Sequence, residues 1–158
     1  RILWTADIHD EWMRAVGKTK PHLTHQQIQR RRDQMDRAMP QALVAGYESL
    51  TEALTLPDPN DRHVLAAAIA ARADVIVTFN LKDYPIQALG QFGVEAQHPD
   101  VFFSYQRTLD ETQFLQIVKE ARAALINPPI SADDYIGGVR RQGLQNIAGE
   151  LEKAKPLI

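Results

Sequence analysis

Apolar and polar positions are most legible between residues 61 and 79. Val64, Leu65, Ala68 and Ile69 share one face at helical spacing, and the alanines around them suit close packing on a sheet, so residues 61–73 are expected to form a helix. The apolar run that follows in ADVIVTF, residues 73–79, reads as a strand buried on both faces. A helix leading so quickly into such a strand predicts a parallel βαβ arrangement. A second strand is expected in GVEAQ, residues 93–97, reached through the helical turn IQALGQF.

The flanks give a thinner pattern. RILWT reads as a short strand, and TADIHDEWMRAV as a helix with Ile8, Trp12, Ala15 and Val16 on one stripe, Thr5 or Asp7 as its cap and Gly17 as its stop. LTHQQIQRRRDQMDRAM is a very polar helix with a stripe of Leu23, Ile28, Met35 and Met39, capped by Thr24 and interrupted by Pro40. A shorter helix is expected in PQALVAGYESLTEAL before the prolines of LPDPND. After residue 104 the character turns helical: Thr108 and Glu111 have capping-box spacing, and Phe114, Leu115, Val118 and Leu125 form a stripe ended by Asn127-Pro128-Pro129. Two short helices, 133–141 and 144–154, complete the chain. The expectation is an α/β unit over residues 1–104 and a helical extension over 105–158.

With 158 residues the chain holds one ordinary domain and a small appendage. It has no cysteine, which removes disulfides and thiolate metal sites, and it has neither a membrane-length apolar run nor a leader-like start. A reducing cytoplasm is therefore the expected location. The net charge of −2 calls for no polyanion, but the charges are uneven. Between Trp12 and Arg37, Arg14, Lys18, Lys20, Arg30, Arg31, Arg32 and Arg37 stand against Asp33 and Asp36, whereas Glu48, Glu52, Asp58 and Asp61 outnumber Arg62 just beyond.

Asp58 and Asp61 precede the alanine-rich helix, while Asn80 and Asp83 follow the strand. Ligands of open α/β sheets bind beyond the carboxyl ends of the strands. With helix and strand antiparallel, these two places are expected at opposite ends of the pair unless Asp61 enters from a strand end on the same face. Taken singly, Asp61 reads as a helix cap or a ligand, Asp58 and Asp83 as turn residues, and Glu11 as a solvated helix edge. Together they permit a cluster of oxygen ligands, which suits Mg²⁺ or Mn²⁺ and not structural zinc. His22 and His25 lack a third ligand for zinc. His63 reads as a packed or hydrogen-bonded histidine, and Arg30, Arg31 and Arg32 as a solvated face or a nucleic-acid contact. No GxSxG, P-loop or GxGxxG is present.

TADIHDEW, DPNDRHVLAAAIAARADVIVTFNLKDYP and GVEAQHPDVFF together resemble the PIN domain, in its VapC-like toxin branch, over residues 1–104. NPPIS and GLQNIAGELEKA resemble the small helical C-terminal domain of some members. The resemblance implies a parallel sheet flanked by helices and an acidic pocket holding one or two Mg²⁺ or Mn²⁺ ions. Glu11 matches the family's helical glutamate, and Asp61 the aspartate before the alanine-rich helix. The family's T-x-D after the strand is here Thr78-Phe79-Asn80, a departure for which Asp83 is the expected compensation. Glu11, Asp61, Asn80 and Asp83 are thus the expected catalytic set, with Glu11, Asp61 and Asp83 on the metal. The family's first strand and the aspartate that ends it are not in this sequence, which leads us to expect a separate N-terminal segment or a homodimer that completes the fold.

The activity so implied is metal-dependent endoribonucleolytic cleavage to a 5′-phosphate and a 3′-hydroxyl by the toxin of a type II toxin–antitoxin pair. Arg14, Arg30, Arg31 and Arg32 would guide the RNA, and a cognate antitoxin would cover the acidic pocket. The alternative is a catalytically impaired fragment that binds an antitoxin or oligomerises; a DNA-directed nuclease is a third reading, because the pocket chemistry does not choose between sugars.

Overall fold

The computed structural model describes all 158 residues, which divide into two compact units. Arg1–Ile76 with Asn80–Ala96 form the first, and Val77–Phe79 with Gln97–Ile158 the second. In the first unit the expected strand RILWT reduces to one parallel bridge between Trp4 and Leu43. The Trp4 N–H donates to the Ala42 carbonyl at 2.9 Å, and the Val44 N–H to the Trp4 carbonyl at 2.8 Å. Between these partners run helices α1 (Ala6–Thr19) and α2 (His25–Ala38).

Thr5 caps α1 by accepting the Ile8 N–H at 3.0 Å. Gly17 does not stop the helix, contrary to expectation; a Cβ there would touch Ile28 Cδ1 at 3.8 Å, so the glycine lies against α2 inside a helix that continues to Thr19. Thr24 caps α2 in a full capping box with Gln27. Of its expected stripe only Ile28 is fully buried, and Met35 and Met39 stay exposed.

Polar pairing joins the two helices. Asp36 accepts hydrogen bonds from Trp4 Nε1 at 2.9 Å and His9 Nε2 at 3.0 Å, and Trp12 Nε1 donates to His9 Nδ1 at 2.8 Å. An indole nitrogen can only donate, so His9 Nδ1 must accept and the hydrogen sits on Nε2. Burial alone would raise the Asp36 pKa, but the bonds from His9 and Trp4 outweigh it and hold the carboxyl below its usual value.

The helix expected over residues 40–54 shrinks to one turn, α3 (Glu48–Thr51). The bridge to Trp4 draws residues 42–44 into extended backbone, and Gly46, at φ +79°, turns the chain toward buried Tyr47, whose hydroxyl donates to Asp7 at 2.7 Å.

A 3₁₀ turn (Pro59–Asp61) leads into α4 (Arg62–Ala70), whose residues Leu65 to Ala68 are all buried. A Schellman turn ends the helix: the Ala73 N–H returns to the Ala68 carbonyl at 2.8 Å and the Arg72 N–H to the Ile69 carbonyl at 3.1 Å, with Arg72 left-handed at φ +52°. That turn sends the chain back as β1 (Val75–Val77), which pairs with β2 (Glu95–Gln97). The Glu95 N–H donates to the Asp74 carbonyl at 2.9 Å and the Thr78 N–H to the Gln97 carbonyl at 3.0 Å, so the strands advance together and the pair is parallel.

The expectation of burial on both faces fails for β1. Ile76 is buried, but Val77 is 42% exposed, because β1 belongs to a two-stranded sheet and not to the interior of a wide one. A 3₁₀ turn (Leu81–Asp83), α5 (Ile86–Leu89) and a turn at Gly93 connect the strands. The core collects Tyr47, Leu54, Leu56, Leu65, Ile76, Tyr84, Leu89 and Val94.

The second unit is helical: α6 (Pro99–Leu109), α7 (Glu111–Ala123), α8 (Ala132–Arg141) and α9 (Gln145–Lys153). Helix α6 was not expected from periodicity, and it displaces the expected cap of the next helix. Thr108 bonds back to the Tyr105 carbonyl at 2.7 Å inside α6, while Asp110 caps α7 through the Gln113 N–H at 2.9 Å. Helix α9 has no capping side chain of its own. Buried Asp100 of α6 supplies it, accepting the N–H groups of Asn146 at 2.8 Å and Ile147 at 3.0 Å. Leu115, Val118, Ile136, Ile147, Leu151 and Ile158 form this unit's core. No helix is long and apolar enough to cross a membrane.

The architecture is α/β: parallel strand pairing flanked by helices, followed by a helical C-terminal region.

Candidate metal centre

Three carboxylates converge at the start of α4. One oxygen each from Asp58, Asp61 and Asp83 lie within 4.8 Å of one another, all half-buried. Strand direction alone leaves helix start and strand end apart or together, and the resemblance implies a single pocket; here Asp58 and Asp61 meet Asp83. Since α4 runs one way and β1 returns the other, the helix N-terminus and the strand's carboxyl end share an edge, and the turn after β1 carries Asp83 to Asp61.

The local roles are also redistributed. Asp61 occupies the helix N-cap position but makes no capping hydrogen bond, so the cap reading for its side chain fails. Asp58 does cap: its Oδ1 accepts the Asn60 N–H at 2.8 Å and the Asn60 side-chain amide at 3.0 Å. Asp58 therefore closes the turn and faces the cluster, and it was missing from the expected metal set. DPND offers only an ordinary turn signal, which hides the second role.

Burial, then the charges of Asp58 and Asp83, hold the Asp61 carboxyl above the ordinary value of 3.8; Glu11 adds to the shift, and a hydrogen bond from Tyr84 opposes it. Buried Tyr84 is itself pushed well up, by burial first and then by Asp61. Repulsion among three carboxylates at such separations amounts to about 1–4 kcal/mol per pair, less after screening by salt. A divalent cation would reverse its sign. The donor set is all oxygen, which fits Mg²⁺ or Mn²⁺.

Glu11 lies near enough to influence Asp61 but is not one of the three converging carboxylates. Its Oε1 accepts instead from His63 Nε2 at 2.9 Å. Asn80 sits on the exposed side of the cluster and its amide donates to Asp83 Oδ2. Of the expected RNA contacts, Arg14 bonds the Asp10 carbonyl of its own helix at 3.1 Å and Arg32 lies 3.8 Å from Asp36, while Arg30 and Arg31 are exposed on α2. His22 and His25 join no ligand cluster.

Two family models match the chain. Residues 1–82 match the PIN domain family, and residues 99–153 match the family described as the VapC50 C-terminal domain. The chain is 38% identical over 101 residues to a protein of Mycobacterium tuberculosis (strain ATCC 25618 / H37Rv) named "Putative ribonuclease VapC50". That alignment covers 64% of this chain and 59% of the relative, so the chain spans less than two thirds of the curated relative it matches. No solved structure matches. The PIN match covers more than half the chain and contains Glu11, Asp58, Asp61 and Asn80, and the chain belongs to the PIN domain family.

Proposed function

We propose that this chain is a metal-dependent endoribonuclease and the toxin of a type II toxin–antitoxin pair. The observation that carries the reading is the convergence of Asp58, Asp61 and Asp83, with Asp61 free of any capping bond. Membership of the PIN family and the ribonuclease name of the relative support it.

Bound Mg²⁺ or Mn²⁺ would supply Lewis acidity toward the scissile phosphate. Asp58, Asp61 and Asp83 would provide the charge that holds it, and the Asn80 amide donates to one Asp83 oxygen. Glu11 stands nearby, with its Oε1 engaged by His63. Arg30 and Arg31 offer exposed positive charge to an RNA backbone. An antitoxin would cover the acidic cluster with a basic side chain, since a cation of either kind relieves the same repulsion.

A second reading, an impaired module that binds antitoxin without cutting, is favoured by one observation: Asn80 stands where the family motif has a carboxylate. Incubation with single-stranded RNA in Mg²⁺, Mn²⁺ or EDTA separates the two. Metal-dependent products with 5′-phosphate and 3′-hydroxyl ends, lost in Glu11→Gln, support the nuclease; uncut RNA with antitoxin binding intact supports the module.

A further inference from the structure

His63 lies two residues beyond Asp61, on the first turn of α4, and reaches across to Glu11 of α1. Its side chain is 12% exposed against 45% for Glu11, so the buried imidazole is the fixed member of the pair and the carboxylate the movable one. A carboxylate can only accept, which places a hydrogen on His63 Nε2. The other ring nitrogen, Nδ1, is buried with no hydrogen-bond partner. A buried nitrogen without a partner is costly, and a histidine kept only for packing would be replaced by an apolar side chain at less cost. The arrangement makes sense for a residue whose work is done by Nε2.

We propose that His63 is a positioning residue: its Nε2–H holds Glu11 Oε1 and so presents Glu11 Oε2 to a divalent cation held by Asp58, Asp61 and Asp83. Glu11 sits on an exposed helical face, with its side chain 45% exposed, and its carboxylate is bonded by His63. Its charge nevertheless acts on Asp61 and Tyr84. The contact at His63 is thus the link that ties α1 to the cluster. Partners of this kind, bonded to a ligand and not to the metal, commonly change affinity by about 10–100-fold.

The inference rests on the cation-binding reading above, and one experiment tells their failures apart. Mn²⁺ affinity is measured by electron paramagnetic resonance for the wild-type chain, His63→Ala, His63→Gln, His63→Leu, Glu11→Gln and the double variant His63→Ala/Glu11→Gln, with thermal unfolding alongside. The expected result is a loss of about tenfold in His63→Ala, near-wild-type affinity in His63→Gln, whose amide can still donate, and no further loss when His63→Ala is added to Glu11→Gln. Wild-type affinity in His63→Ala, or additive losses in the double variant, would overturn the positioning role while leaving the cation site standing. Absence of Mn²⁺ binding by the wild type would overturn both. If His63→Ala does not fold, the comparison moves to Gln against Leu: equal affinities contradict the proposal, and weaker binding in Leu supports it.

Discussion

Asp58 and Asp61 bring carboxylate oxygens within 4.8 Å of each other at the start of α4, so each negative charge is felt by the other. Because the folded-state pKa of Asp61 is raised above 3.8, the folded chain holds that proton more tightly than the unfolded one. The resulting stabilisation is full below 3.8 and is lost as pH rises through the folded value, so at neutral pH the cation-free cluster destabilises the fold. Asp61→Asn is expected to melt higher than wild type at pH 7 in EDTA, with the difference shrinking toward pH 4. Thermal unfolding across that range checks it.

Asp58 has two tasks that substitutions can separate. Asn caps a turn as well as Asp, so Asp58→Asn is expected to fold with unchanged or slightly raised stability while Mn²⁺ affinity falls. Asp58→Ala loses the cap as well, at about 1 kcal/mol. Denaturant unfolding and Mn²⁺ titration of the two variants measure each role separately.

Arg72 occupies the left-handed position of the Schellman turn that reverses the chain from α4 into β1, where glycine is preferred. Arg72→Gly removes the steric cost of a Cβ at φ +52° but adds freedom to the unfolded chain, and the first effect is expected to win by about 0.5 kcal/mol. Urea unfolding reads the difference.

Asp100 is 4% exposed and accepts two backbone N–H groups of α9. Asp100→Ala strands both donors and is expected to cost roughly 2–4 kcal/mol, whereas Asp100→Asn keeps an acceptor and costs less. Chemical denaturation of the full chain, ranked across the two variants, tests whether the charge or the geometry dominates.

Short-range order was legible in the sequence where a periodic face and a cap coincide. Thr24 as a cap announces α2, and the alanine-rich face announces α4. Long-range pairing was not. Nothing in the spacing of His9 and Asp36, or of Asp100 and Asn146, signals that they meet, because polar partners chosen by tertiary packing leave no period. Within the site, the aspartates were visible as residues but their roles were exchanged: Asp58, expected to be a turn residue, also joins the cluster, and Asp61 leaves the helix end uncapped. The edge they share follows from α4 and β1 running antiparallel, a direction that residue order alone leaves open. Tyr84 and His63 were hidden for another reason, since each looks like an ordinary core side chain until its partner is placed.

On the proposed reading, the carboxylates around Asp61 would hold a cation needed for RNA cleavage. The most direct measurement is the rate of Mn²⁺-dependent cleavage of a single-stranded RNA by wild type and by Asp61→Asn at matched salt, with both shown to be folded. Asp61→Asn is expected to cut about a hundredfold more slowly or not at all, and cleavage at the wild-type rate would show that Asp61 holds no catalytic cation.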